Sequence, residues 1–579
     1  MWPFSSTSYP NVTFDRLHAK YDYIIVGGGT AGCVLANRLS TNPETTVLLI
    51  ERGPVGDTWL SRIPLASMSY GSEGAFCRLQ KSEYQQELNK SFGLVRGSGL
   101  GGTSRINGMF YSRGLPKEYD FWAESGCEGW SWKEVERFFR KSENFLDGQD
   151  YDNVHGKIGE WTNRRDPLYF PTFSRVVEAC KSLGIFHSED LNSPKNPTNC
   201  IGQGQFTRDR KQYRNSTNRA FLPAELVRAR ANLHIVTNAI GGKLMIGQRD
   251  ATPFVEGVEV IDRFRKKKKV VMCGHEVIVC AGAFGTPQVL MLSGIGPAEH
   301  LKEHDIPVHK NLPAVGNNLQ DHFGVSTAFR VPMGHSMLSV EKQPWTMVIQ
   351  FLLWLIWGTG MLLCPVIQTY ITMSSASLDA RGIPFKDKGE VDALPDIEIA
   401  PIAYDSCELE LDKSRGFFSL LSVVMRPKSR GRVCLASTQA DAPMKIYCNY
   451  LSNPEDFIPL RAALKLSLRI REKMREDGYP IEDWKTAMPQ GEDDESLDKF
   501  IRWRNRSTYH YTSTCRMGSR QDAPDGGAAV DPQLRVFGVG GLRVADASVF
   551  PWVVAAHPQA AVVMTAEKCA DMILHPKQE

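Results

Sequence analysis

The sequence predicts a mixed α/β plus α+β fold. A Rossmann-like domain is assembled from separated chain segments, and a domain built on an antiparallel sheet is inserted between them. Three observations predict it. A strand, a glycine turn, a helix and a second strand follow one another from residue 20. Strand patterns return at 233–236, 255–260 and 277–280, and a strand followed by a helix returns at 542–572. Between these, residues 325–520 change character, with alternating strand patterns such as 417–424 and then helical ones around 460–464. The chain holds no internal repeat and no low-complexity block.

The opening unit is the most informative. Tyr23-Ile24-Ile25-Val26 is an apolar, β-branched run suited to a buried parallel strand. Gly27-x-Gly29-x-x-Gly32 then permits a tight turn, close backbone approach to a pyrophosphate and close helix–strand packing. Thr30 and Ala31 stand in that turn, and Val34-Leu35-Ala36 and Leu39 continue as a helix whose free N-terminal amides favour an anion. A second apolar strand over 46–50 delivers Glu51 nineteen residues after Gly32, the spacing of a ribose-binding carboxylate. A bare GxGxxG is weak evidence, but this full succession implies a bound dinucleotide and redox chemistry. The competing reading is a glycine-rich turn in an ordinary α/β fold.

A second glycine-rich loop spans 96–104, residues 150–215 read as polar and irregular, and the basic run 263–269 reads as a solvated hairpin turn, with contact to anionic lipid as the lesser reading. The expected boundaries are 20–160, 216–324 and 531–575 for the cofactor domain, with 161–215 and 325–530 for the substrate domain.

Composition narrows the function classes. The chain has 579 residues and a formal net charge of +3, so charge makes no case for nucleic-acid binding. Thirteen cysteines are dispersed, with no CxxC pair and no zinc-like clustering with histidine. No metal site is expected, and the thiols read as reduced, in an intracellular protein. The head Met1-Trp2-Pro3-Phe4-Ser5-Ser6 lacks basic and apolar leader regions, so no signal peptide is expected. Sequons at Asn11, Asn89, Asn215 and Asn505 matter only in a secreted chain.

One segment is anomalous: residues 343–378 hold no charge, and 351–357 are strongly apolar. The length meets the rule for a membrane span, but Gly358-Thr359-Gly360 and Pro365 interrupt it and no positive cluster flanks it. Three readings stand: a span, a buried or substrate-lining segment, and a peripheral dip into one leaflet. The Trp354/Trp357 pair reads as packing.

Several distant motifs agree on one family. The fingerprint 27–32 with Glu51, the loop 97–108, the stretch 282–296, Val315-Gly316-Asn317-Asn318-Leu319-Gln320-Asp321-His322 and the blocks 510–518, 542–548 and 557–561 resemble the glucose–methanol–choline oxidoreductases, an FAD-dependent family, from Tyr21 to about Leu574. The resemblance implies that Ser98, Gly102, Thr103 and Asn107 lie beside the flavin, with Ser98 replacing a common basic residue. It implies that Val236 meets the adenine through its backbone and that Asp546 bonds the cofactor's polar chain, with Ala547 and Gln559 at the same cofactor-binding end. Relatives that attach FAD covalently do so through a histidine at the position of Ile106, so noncovalent FAD is implied here.

Oxidising an alcohol means removing the hydroxyl proton and transferring a hydride from carbon. In the family, the residue matching His510 abstracts that proton and the one matching His557 bonds the same oxygen. The implied function is oxidation of a CH–OH group of a hydrophobic alcohol to the carbonyl, in fungal secondary metabolism, with O₂ or another acceptor reoxidising the flavin. The alternative is a non-redox or light-driven flavoprotein of the hydroxynitrile lyase or photodecarboxylase type. Photodecarboxylases lack the histidine at 510 and carry Cys where this chain has Met425 before Arg426-Pro427. His322 is expected to hold structure, and Glu567 and Lys568 to be solvated. A single membrane crossing within 343–378 would part His510 and His557 from Gly27, which disfavours the span.

Overall fold

The computed structural model describes residues 8–576 except 66–75, 148–149, 151–152, 166–167, 386–392, 405, 407–413 and 521–526; the head at 1–6 lies outside the described residues. The fold class expected from the sequence is the one observed. A seven-stranded sheet has the order Leu233–Val236, Val47–Ile50, Lys20–Val26, Lys268–Val279, Thr252–Asp262, Ala239–Arg249, and Leu542–Val544 also pairs with Lys268–Val279. Five of these strands run parallel and end level: Val26 faces Ile50 and Val279, Val236 faces Ile50, and Val544 faces Val279. Their apolar side chains are buried on both faces, as β-branched runs in a covered parallel sheet should be. The residues that follow the strand ends, Gly27, Glu51, Cys280 and Asp546, therefore converge at one edge, where ligands bind in open α/β sheets. The basic run forms the turn between Thr252–Asp262 and Lys268–Val279.

The second sheet has eight strands, in the order Glu482–Asp483, Phe323–Val331, Gly416–Val424, Ile397–Ile402, Thr369–Met373, Cys200–Gln203, Phe186–Ser188, with Arg506–Ser507 also on Phe323–Val331. It is antiparallel except for the last pair. The helix Phe457–Glu476 packs Ala463, Leu466 and Ile470 against Ile399, Phe418 and Leu420.

Three expectations are corrected. Residues 150–215 are not irregular: they hold the helix Pro171–Ser182 and the strands Trp161–Arg165, Phe186–Ser188, Cys200–Gln203 and Gln205–Phe206. Phe173, Val176, Ala179 and Cys180 form the buried stripe of that helix. Glu567 is not solvated but fully buried, because Arg38 on the helix Thr30–Leu39 reaches it at 2.6 Å and Lys141 at 3.0 Å. Lys568 donates to the Gly129 carbonyl at 2.6 Å. In the uncharged segment Trp354 packs on Trp59 and Leu363, whereas Trp357 is 66 % exposed. That segment forms the helix Pro344–Leu352, a π-helical turn Leu353–Trp357 and the strand Thr369–Met373. Among the described residues no helix is long and apolar enough to cross a membrane.

Candidate active site

A cavity of about 660 Å³ runs from the level strand ends to the C-terminal histidines. Every expected site residue lines it except Gly32 and Val236. Gly32 lies one helical turn inside, where a Cβ would overlap the Gly27 carbonyl oxygen. Val236 is buried, and its carbonyl accepts the Glu51 amide at 2.8 Å.

The glycine turns form a cradle of bare backbone. Gly27 has φ +109°, and a Cβ there would overlap the Cys280 carbonyl. The helix Thr30–Leu39 starts at Gly29 with no side chain capping its amides, leaving them for an anion. Glu51 ties the loops together. Its carboxylate accepts the amides of Gly28 at 2.9 Å, Gly53 at 2.7 Å and Gly99 at 3.0 Å, while burial pushes its pKa up against them. Asp546 accepts the Gly282 amide at 2.8 Å and the Thr286 hydroxyl at 2.6 Å. Asn107 donates to Gln559 at 2.7 Å and accepts from Arg214 at 2.9 Å, joining the second loop to the final helix. Arg52, Arg78 and Arg96 also line the cavity. Burial, and then mutual repulsion, brings Arg52 down to about 8 and Arg96 to about 9. An anionic dinucleotide suits both the bare amides and these cations. Ile106 lines the same wall, where it offers no atom for a covalent link to the cofactor.

His510 and His557 meet at the far end, with ring centroids 4.9 Å apart at 73°. His557 stacks on Phe110 at 4.2 Å, and its Nε2 lies 3.2 Å from the Glu398 carboxylate. His510 Nδ1 lies 2.9 Å from Nδ1 of His322 and 3.4 Å from the Thr508 hydroxyl. Its backbone amide donates to Asp321 at 2.7 Å, and Asp321 also accepts from Tyr450 and Ser507. His322 therefore touches the histidine pair rather than merely bracing the cofactor domain. Burial, and then the neighbouring His557, pushes its pKa down to about 3. Burial, then His557 and His322, holds His510 well below the ordinary imidazole range. His510 is thus a neutral ring with Nδ1 engaged, and the tautomer that keeps its proton on Nδ1 leaves Nε2 as a proton acceptor. The walls nearby are apolar: Val366, Ile367, Ile402, Leu421 and Val423. Sequence reading missed Glu398, Arg214 and the His322 contact. Only the Asp321-His322 motif carried any signal for them.

Comparison with known proteins gives the family. Two family models described as GMC oxidoreductase match residues 21–324 and 427–566. The chain is 33 % identical over 607 residues to "Dehydrogenase str4" of Strobilurus tenacellus, covering 96 % of this chain and 94 % of that protein. It is 33 % identical over 566 residues to an oxygen-dependent choline dehydrogenase of Burkholderia thailandensis, again covering 96 % and 94 %. A crystal structure of formate oxidase superposes with a TM-score of 0.85 at 26 % identity, covering 96 % of this chain and 98 % of that one.

Proposed function

Since this chain belongs to the GMC oxidoreductases and is an FAD-dependent oxidoreductase, we propose that it oxidises the CH–OH group of a hydrophobic alcohol to the carbonyl, with His510 as the base. The observation that carries this reading is the His510–His557 pair, ring centroids 4.9 Å apart, in a cavity that also reaches the glycine cradle. FAD, when bound, supplies the hydride acceptor. Gly27, Gly29, Thr30, Ala31, Ser98, Gly102 and Thr103 would hold it from the loops, with Glu51 on the ribose and Asp546 on the polar chain. Asn107 and Gln559 would stand beside its ring, and Ile106 makes the attachment noncovalent. His510 Nε2 takes the hydroxyl proton. His557 hydrogen-bonds the same oxygen and is oriented by Glu398 at 3.2 Å. Val366, Ile367 and Leu421 keep water away and favour an apolar substrate.

We read that substrate as a natural-product alcohol of fungal secondary metabolism. Support comes from the apolar wall and from the fungal dehydrogenase among the relatives. The protein is read as intracellular, consistent with every described cysteine being a free thiol. The test is a panel of hydrophobic alcohols mixed with the holoenzyme, following flavin bleaching with and without oxygen. Bleaching by an apolar alcohol without oxygen is expected, and recovery on adding O₂ would name the acceptor. A flavin left oxidised by every alcohol would overturn the reading.

A further inference from the structure

We propose that residues 344–357 form a docking surface for a bilayer carrying anionic lipid. The helix Pro344–Leu352 and the turn Leu353–Trp357 turn Trp345, Ile349, Ile356 and Trp357 to solvent, at 80, 53, 59 and 66 % exposure. Met347, Val348, Phe351 and Leu352 beside them are exposed as well. Contiguous apolar surface of this kind marks a binding face, whereas single exposed apolar residues do not. Trp354 turns inward and stacks on Trp59 at 5.9 Å, so one residue anchors the segment while its outer girth stays bare.

Charge identifies the occupant. A cleft of about 380 Å³ beside the turn is lined by Arg210, Lys211, Tyr213, Trp354 and Trp357. Neither Arg210 nor Lys211 has a carboxylate partner among the described residues, and both are exposed. Free cations at the edge of an apolar ridge, with an exposed indole near each end, suit an interfacial segment lying in one leaflet over anionic headgroups. A second copy fits worse, because the same uncharged segment of that copy would offer these cations no carboxylate. The chain runs on from this face to Val366 and Ile367 on the wall of the reaction cavity, so the docking face and the substrate site are close in sequence. The docking itself does not depend on the alcohol reading.

The experiment is flotation of the FAD-loaded protein with vesicles of phosphatidylcholine, alone or with phosphatidylserine. Two variants accompany it: Trp345→Ser/Ile349→Ser/Trp357→Ser and Arg210→Glu/Lys211→Glu. All five positions are at the surface, and retained flavin absorbance reports folding. Binding to the anionic vesicles is expected, about 10-fold or more above neutral ones, with each variant losing it by a similar factor. Flavin reduction by a water-soluble alcohol should stay unchanged in both variants, which separates this outcome from failure of the enzymatic reading. Absence of flotation, flotation equal on neutral vesicles, or parental binding by the triple variant would overturn the proposal. So would a concentration-dependent dimer, seen by sedimentation, that the triple variant dissolves.

Discussion

Replacing His322 by leucine removes a single contact from His510 and nothing from the cavity wall. The two Nδ1 atoms lie 2.9 Å apart, so one ring donates to the other. If His322 donates, His510 must hold its own proton on Nε2 and cannot act as base. If His510 donates, Nε2 is free, and the lone pair of His322 steadies the imidazolium that forms as the substrate proton arrives. With pKa values of about 3 for His322 and well below the ordinary range for His510, both rings are neutral beforehand. Leucine leaves the Nδ1 proton only the Thr508 hydroxyl at 3.4 Å. A hydrogen bond to a group becoming charged contributes about 1.5–3 kcal/mol. At about 1.36 kcal/mol per decade, flavin reduction should slow by about 10- to 150-fold. Anaerobic stopped-flow reduction across pH is the assay. The parent rate should stay flat as pH falls through about 6.5, since protonation of His510 is postponed to lower pH. His322→Asn offers an acceptor oxygen and should recover much of the rate. A parental rate in the leucine variant, or an asparagine variant no better than leucine, would refute the reasoning.

His510→Ala should cost at least about 10²-fold in flavin reduction while FAD absorbance is retained, and His557→Asn should be milder because asparagine still bonds the substrate oxygen; stopped-flow rates at equal flavin content check both. Acid or heat should release FAD from the polypeptide, and flavin that co-elutes with denatured chain on gel filtration would contradict the role given to Ile106. Arg38→Met strands the buried Glu567 carboxylate and should destabilise by about 3 kcal/mol, the low end for a broken buried pair, because Lys141 stays 3.0 Å away. Arg38→Met/Glu567→Leu should regain most of that in denaturant midpoints.

What was legible in the sequence was local. A β-branched strand, a glycine turn and an acid at fixed spacing have one economical geometry, so the edge carrying Gly27 and Glu51 could be read in order. The helix Pro171–Ser182 was obscured by neighbouring Asn and Pro, although its apolar stripe was present. Arg38 and Glu567 stand 529 residues apart, and nothing near Glu567 signals a buried partner. Glu398 lies inside a strand whose other residues are apolar, and only the sheet turns it toward His557. Trp357 looked like core from its apolar neighbours, because hydropathy reports what would gain from burial and not whether a cover exists.

The parallel sheet closes with the last strand to be synthesised. Until Leu542–Val544 emerges, Val277, Ile278 and Val279 lack that neighbour, and until Gln559–Leu574 emerges the helix Thr30–Leu39 lacks its packing partner. A nascent chain can therefore carry both glycine loops and still be unable to complete the pocket. The cavity takes its lining from Val26 to Val562, so its wall is complete only once nearly the whole chain has emerged. Pairing across such sequence separation is slow and leaves apolar edges bare in the meantime, so a ribosome stalled short of the final helix presents the cell with an aggregation-prone apoprotein and not a weakened enzyme.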